Sequence, residues 1–121
     1  MNLDLEAAKT SQKIIGSTMS NKSSEVENLI TKTLGVLQEN GVYACMLYLD
    51  SRTSKAEKEI SQIVRKKLID MTKEVVKESN SEDSYTYLQE KICSDLDILL
   101  LTKQIWEQTL TYARYGAKAR E

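Results

Sequence analysis

The chain has 121 residues, a formal net charge of −1, and no His, Pro or Phe. A chain of this length folds by default as one domain with its own hydrophobic core, so we expect residues 1–121 to form a single domain. The absence of Pro and the presence of only 4 Gly argue against a loop-rich fold. The absence of His excludes Ser-His-Asp catalysis, Cys-His catalysis and His-ligated zinc.

The net charge and the two cysteines indicate which partners the protein can bind and in which cellular compartment it is expected. The nearly balanced charge leaves no whole-molecule field that attracts nucleic acid or membrane, so a polyanion site must come from a local patch. Cys45 and Cys93 are far apart and form no CxxC pattern, so we expect both to be buried, reduced thiols of a cytoplasmic protein. Acidic Asp4 and Glu6 near the start, and a longest apolar run of only 98–101, predict neither a secretory signal nor a membrane partner.

The first two predicted helices are amphipathic. The first covers about residues 3–19, and its apolar side chains recur at helical spacing: Leu5, Ala8, Ile15 and Met19. The second begins at a predicted capping box formed by Ser24 and Glu27, and the residues that we expect to face the core are Val26, Leu29, Ile30, Leu34 and Leu37. It ends at Asn40-Gly41, because Gly adopts the left-handed conformation at little cost.

The third and fourth predicted helices follow at once. Residues 42–50 are apolar almost all round, which predicts a central, buried helix containing Val42, Ala44, Cys45, Met46, Leu47 and Leu49. Ser54 and Glu57 form a second capping box, which starts a long helix over about residues 55–78. One stripe of that helix is predicted to face the core: Ala56, Ile60, Ile63, Val64, Leu68, Met71 and Val75.

The last third of the chain predicts a loop and two more helices. The polar run 79–84 is the loop, and Tyr85, Leu88 and Ile92 indicate a short fifth helix. Ser94 with Asp97 is a third capping signal, and it opens a last helix that extends to about Tyr115. No strand alternation is present, so the predicted fold is all-α, a single compact bundle of five to six helices.

Two helices carry more apolar surface than one core requires. On the fourth, Ile69 and Val76 lie far from the main stripe. On the last, one face carries Leu96, Leu99, Leu100, Trp106, Leu110 and Ala113, and a nearly opposite face carries Ile98, Leu101, Ile105 and Tyr112. Either the last helix is the buried centre of the bundle, or a second face meets another subunit. The subunit-contact candidates are Ile69, Val76, Ile98, Ile105 and Tyr112.

The carboxylates give no candidate catalytic or metal site. Asp70, Glu74 and Glu78 recur at four-residue spacing, but nearby lysines make them part of an ion-paired surface. Asp95 and Asp97 suit the first turn of a helix, where the dipole favours negative charge. The glycines form no phosphate-binding loop. We therefore predict no catalytic residue, no metal and no cofactor.

The basic residues form two candidate RNA contacts. The lysine row of the fourth helix consists of Lys55, Lys66, Lys73 and Lys77, which lie within roughly 40° on a helical wheel and span about 33 Å. The C-terminal group interleaves cations with Tyr112 and Tyr115, as in single-strand binders, and its cations are Arg114, Lys118 and Arg120. A solvated charged face and a dipole-matched helix end remain the alternatives. Lys9 and Lys13 are a weaker third set.

Residues 37–52 resemble a known family. The segment reads LQENGV at its start and LYLDSR at its end, which resembles the pattern I-x-x-N-G-L … L-A-F-L-x-S-K in the small all-helical subunit of type III-B CRISPR effectors, the fifth Cmr protein family. Val42, Tyr48 and Arg52 stand at the Leu, Phe and terminal Lys positions. The family often has a Pro near the start of this segment, where the chain has Leu34-Gly35.

The last helix is similar to the closing helix of that family through Leu99, Lys103, Trp106 and Ala113. The resemblance implies a non-catalytic subunit in antiviral defence that stacks in several copies along an RNA-guided complex. Its implied partners are the other Cmr effector subunits, copies of itself, and the target RNA and guide RNA in the groove that it lines. Target cleavage would belong to the backbone subunits, and Asn40-Gly41 with the apolar residues after it would be structural.

Three other functions remain open on the sequence. A helical DNA-binding regulator would use the short third helix in a helix-turn-helix, although a recognition helix must present polar side chains to bases. A generic helical protein-interaction module would use the surplus apolar faces. A small helical nuclease would need carboxylates alone, and Asp95 and Asp97 would carry it.

Overall fold

The computed structural model describes residues 2–76 and 83–120. Over these residues the chain forms helices joined by short connections and contains no strand, so the predicted all-α bundle is confirmed. The helices are α1 at Leu3–Ser17, α2 at Ser23–Asn40, α3 at Val42–Asp50, α4 at Lys55–Val76, α5 at Ser84–Tyr87 and α6 at Leu96–Ala119, with a π-helix at Leu88–Ile92. Lys77 lies outside the described residues.

The long helix α6 lies at the centre of the bundle. It packs against α1, α2, α4 and the π-helix. Side-chain contacts set the directions: Gln108 contacts Asp4 and Arg120 contacts Thr18, so α1 runs parallel to α6. Arg120 contacts Ser23 at the start of α2, and Lys103 contacts Gln38 near its end, so α2 runs antiparallel to α6. Helix α3 packs on α2 and α4.

The core is continuous, and its largest fully buried side chains are Trp106 and Tyr87. The indole Nε1–H of Trp106 donates to Thr72 Oγ1 at 2.7 Å, and the Thr72 hydroxyl donates to the Leu68 carbonyl at 2.7 Å. The one polar atom of the indole is therefore satisfied inside the core. This contact joins α6 to α4 through a hydrogen bond that apolar packing alone does not provide.

The prediction for α1 has the right helix but the wrong face. Leu5 and Met19 are exposed, whereas the buried residues are Ala7, Thr10, Ser11 and Ile14. The reason is that two of the core positions carry hydroxyl groups, which an apolar pattern does not count. The Ser11 hydroxyl donates to the Ala8 carbonyl at 2.7 Å, so its polarity is neutralised within its own helix.

The predictions for α2 and α3 are closer. All five residues predicted to line the core from α2 are buried, and Gly41 ends the helix with φ of 94°. Its ψ of −175° places Gly41 in an extended region open only to glycine, rather than in the left-handed helical region. Helix α3 has the predicted bounds, but Leu47 is 49% exposed, so the expectation that the whole helix is buried is wrong.

One of the three predicted capping boxes is half formed, because the Glu57 carboxylate accepts from the Ser54 hydroxyl instead of from the Ser54 backbone N–H. The Glu57 N–H donates to Ser54 Oγ at 3.3 Å, and the Ser54 hydroxyl donates to Glu57 Oε1 at 3.2 Å. The box at Ser24 is wrong, because α2 begins at Ser23 and its N-cap residue makes no side-chain bond. The box at Ser94 is also wrong: Asp95 caps α6 by accepting from Ile98 N–H at 3.2 Å, and the Ser94 hydroxyl donates backward to Glu90.

Ser61 is fully buried, and its hydroxyl has no hydrogen-bond partner among the described residues. We predict that Ser61→Ala raises the free energy of unfolding by about 1 kcal/mol, because it removes an unpaired polar group, and raises Tm by about 4 °C. Thermal unfolding followed by circular dichroism measures the change. Ser11→Ala is the matched control and gives no gain, since it removes a hydroxyl that is bonded. Equal gains in both variants would contradict the assignment.

Candidate nucleic-acid interface

Three members of the lysine row are described, and they lie along one side of α4. Lys55 and Lys66 are exposed and Lys73 is half-buried. The core-facing residues of α4, such as Val64 and Leu68, lie on the other side of the helix. At the helical rise per residue, Lys55 and Lys73 are about 27 Å apart along the axis. The row is therefore a long, straight and rigidly mounted set of cations.

The ion pair of Lys66 leaves its charge in contact with solvent. Lys66 Nζ lies 3.2 Å from Asp70 Oδ2 in a pair whose members are both exposed. Such surface pairs contribute about 1 kcal/mol or less and exchange readily for another anion. Lys73 Nζ lies 5.3 Å from the centre of the Tyr87 ring, which fixes this end of the row against α5.

Acidic residues border the row, as the sequence predicts. Exposed Glu59 accepts a hydrogen bond from Asn21 Nδ2 at 3.4 Å, and this contact turns its carboxylate towards the connection between α1 and α2. The crevice between α1 and α4 is lined by Lys13 and Lys67 together with Asp70 and Glu74. Because its charges balance, this crevice adds no cationic surface, and Lys13 does not extend the row.

The C-terminal cations divide into two groups. Arg114 is half-buried with its guanidinium carbon 6.0 Å from the centre of the Tyr115 ring, and Lys118 is exposed. Arg120 instead contacts the connection between α1 and α2. Its Nε–H donates to Ser23 Oγ at 3.1 Å, and its two terminal nitrogens donate to the carbonyls of Thr18 at 3.1 Å and Asn21 at 2.5 Å.

These contacts do not favour the prediction that Arg120 is an RNA ligand. Most of its hydrogen-bond donors are already occupied by groups of the protein itself. They hold the end of α6 against the start of α2, across about a hundred residues of sequence. No sequence signal indicates this, because two of the four acceptors are backbone carbonyls.

The predicted subunit-contact residues are mostly internal. Ile69 is only 5% exposed and Ile105 is buried, so both belong to the core, and the prediction that they form a surplus surface is wrong. Val76, Ile98 and Tyr112 are half-buried and pack against the core. The reason is that α4 and α6 each contact several neighbouring elements, which cover more of the helix than one stripe.

The exposed apolar residues of α6 are different ones. Leu96 is 68% exposed and Leu100 is 56% exposed, although both lie on the same predicted face as the buried Trp106. The signal that would have found them is the pair of carboxylates at Asp95 and Asp97, which marks this first turn as solvated. Leu100 borders a groove of about 380 Å³ between the end of α2 and the start of α6, which Cys93 and Tyr43 also line.

The two cysteines differ in their exposure to solvent. Cys45 is buried as predicted, and burial raises the pKa of its thiol to about 12, so it remains protonated. Cys93 is exposed, which corrects the prediction that both are buried. It follows the π-helix at a turn in which the Cys93 N–H donates to the Leu88 carbonyl at 2.6 Å. Because this turn points towards solvent, Cys93 does not pack into the core.

A polar cluster holds α5 on α3 and α4. Asp50 accepts from Tyr85 Oη at 2.5 Å and Gln62 Nε2 at 3.1 Å, and Arg65 Nε lies 2.9 Å from it. Burial raises the pKa of Asp50, but these hydrogen bonds and the guanidinium charge outweigh burial and lower it below its usual value. Because the carboxylate stays ionised and bonded, the cluster fixes the segment that Lys73 contacts through Tyr87.

Over residues 2–76 and 83–120, no three Cys, Asp or Glu side chains form a group that could hold a metal ion. No helix in the described part of the chain has the length and apolar content needed to cross a membrane. No protein-family model matches the chain, and no curated protein matches it either.

Proposed function

We propose that the protein is a non-catalytic small subunit of a type III-B CRISPR (Cmr) RNA-guided effector complex, which acts in antiviral defence in the cytoplasm. Copies of it stack along the complex beside the other Cmr subunits, and they line the groove in which target RNA pairs with guide RNA. The observation that carries the RNA-binding role is the lysine row of α4, in which Lys55 and Lys66 are exposed. The resemblance over residues 37–52 supports the choice of complex.

The geometry of the row favours a polyanion with a repeating backbone. Lys55, Lys66 and Lys73 lie along one rigid helix, so they can meet phosphates spaced along one strand without an ordering cost for the backbone of the protein. Lysine ammonium groups bind phosphate as point charges and do not read base edges. The isolated protein is therefore expected to bind RNA weakly, without sequence preference and with a strong dependence on salt.

The resembling segment has a structural role in this proposal. Gly41 ends α2, and Cys45, Met46 and Leu49 of α3 are buried. Tyr48 is half-buried under the guanidinium of Arg52, whose carbon lies 3.9 Å from the ring centre. The segment thus fixes the turn that joins two helices, and the RNA contacts come from α4.

The DNA-regulator alternative is not favoured by α3. Four of its nine residues are buried, and Leu47 is an exposed apolar residue where a recognition helix needs polar groups. The protein-interaction alternative has one observation in its favour, the exposed Leu96 and Leu100. That surface is also consistent with a subunit that packs among others, so it does not compete with the proposed function.

We predict that the triple variant K55E/K66E/K73E loses at least about ten-fold in affinity for a single-stranded RNA. Three phosphate contacts are lost, so the slope of log affinity against log salt falls by about 2. Fluorescence anisotropy with a labelled RNA at several salt concentrations measures both quantities. The triple variant K9E/K13E/K32E is the matched control, since it changes three exposed lysines of α1 and α2 by the same charge. Equal losses in the two variants would refute a role specific to the row.

The identity of the complex needs a separate measurement. Purification of the tagged protein from its native host, followed by mass spectrometry and RNA sequencing, should recover the other effector subunits and guide RNA. Recovery of a free, RNA-less protein from cells that express such a complex would reject the subunit assignment. The phosphate-binding role of the lysine row would then stand or fall on the anisotropy result alone.

A further inference from the structure

Tyr115 differs from the other tyrosines. Of the six in the chain, Tyr43, Tyr48, Tyr85 and Tyr112 are half-buried and Tyr87 is buried. Tyr115 is 62% exposed near the end of α6. A large aromatic ring left in water on a rigid helix is an available contact surface, and its neighbours indicate what it contacts.

Arg114 and Lys118 are the cations next to Tyr115 on α6. The guanidinium carbon of Arg114 lies 6.0 Å from the centre of the Tyr115 ring, and exposed Lys118 follows Tyr115 by about one helical turn. These three residues form the basic end surface. Arg120 contacts Thr18 and Ser23, so the connection between α1 and α2 lies at the same end of the bundle.

The charge at this end of the bundle is positive. Arg114 and Lys118 flank Tyr115, and exposed Lys22 lies in the connection between α1 and α2. The acceptors of Arg120 are neutral groups, so they do not offset its charge, whereas the carboxylate of Glu59 reaches the connection through Asn21 and offsets one cation there. An aromatic ring flanked by cations fits a ligand that has both a flat apolar face and negative charge, which is the chemistry of an unpaired nucleotide.

We infer that Tyr115 is a base-stacking residue, on which one unpaired base of an RNA strand stacks while Arg114 and Lys118 contact the adjacent phosphates. This inference rests on the proposed RNA-binding function and adds a contact that the lysine row cannot make. Lysines neutralise phosphates equally in paired and unpaired RNA. A stacking tyrosine requires a base that is free of the helix, so the basic end surface distinguishes single-stranded from paired RNA.

The test compares two RNA probes of equal charge, a uridine decamer and a decamer of abasic ribose phosphates. Native protein should bind the uridine decamer at least about five-fold more tightly, as one base–aromatic stack predicts. Tyr115→Ala should bind both decamers with the same affinity, and Tyr115→Phe should keep the native ratio because the ring remains. The emission of buried Trp106 verifies that each variant is folded.

Each of the other outcomes overturns the stacking role of Tyr115. Equal binding of both decamers by the native protein, or an unchanged ratio in Tyr115→Ala, overturns the stacking role and leaves the lysine row as proposed. A Tyr115→Phe variant as weak as Tyr115→Ala overturns it as well, since the hydroxyl would then be the contact. Native protein that binds neither decamer at low salt overturns both proposals. Loss of self-association in Tyr115→Ala, measured by sedimentation, assigns the surface to protein contact instead.

Discussion

Thr72→Val is expected to lower the free energy of unfolding by about 1–3 kcal/mol, because it leaves the Trp106 N–H buried without an acceptor. Valine has nearly the shape of threonine, so the core stays filled. The loss in the free energy of unfolding therefore measures the contribution of the hydrogen bond. The native distance between Trp106 Nε1 and Thr72 Oγ1 is 2.7 Å in a fully buried site. Urea unfolding followed by tryptophan fluorescence measures the change.

Two further variants separate the hydrogen bond from packing. Thr72→Ser keeps the hydroxyl and should retain most of the stability that Thr72→Val loses. Trp106→Phe removes the donor, so adding Thr72→Val to it should cost less than Thr72→Val costs in the native protein. Equal stability of the Ser and Val variants would show that the indole N–H is satisfied by another group.

Gly41→Ala is expected to lower the free energy of unfolding by about 1–3 kcal/mol, the cost of holding a side chain in a backbone region open only to glycine. The φ of 94° and ψ of −175° are the cause, since a Cβ at Gly41 meets no atom within 4 Å. The variant therefore isolates backbone strain from steric overlap. Thermal and urea unfolding of the purified variant measure the loss.

Gly35→Ala is the matched control for this strain. Gly35 lies within α2, where a Cβ also meets no atom within 4 Å, and it has no positive φ. Alanine is the better helix former, so this variant should gain about 0.5–1 kcal/mol. The same substitution six residues apart thus has opposite signs. A loss in both variants would indicate a close contact that the structure does not contain.

Sequence patterns predict the fold well where the core is apolar. In α2 the five core residues recur at helical spacing, and all are buried. In α1 the same reasoning selects the wrong face, because Thr10 and Ser11 occupy core positions. A hydroxyl that bonds a carbonyl of its own helix costs little when buried, so polarity alone does not reveal which face is internal.

The candidate RNA-binding site is also predictable only in part from the sequence. The exposed positions of Lys55 and Lys66 follow from periodicity, since both lie off the apolar stripe, whereas the half-burial of Lys73 does not. Periodicity does not reveal how many neighbours surround a helix. The burial of Ile69 and Ile105, which depends on those neighbours, is therefore not predicted. The contacts of Arg120 join residues about a hundred positions apart through backbone acceptors, and no local pattern encodes such a contact.

The central position of α6 has a consequence for the order of folding. Trp106, Leu110 and Ala113 fill the space between α1, α2 and α4. When only the residues before α6 have left the ribosome, α1 and α2 therefore lack most of the side chains that their core faces pack against. During synthesis these faces remain exposed to other nascent chains or chaperones until α6 emerges. The bundle is then completed late, when Arg120 joins the first helical connection to the last helix.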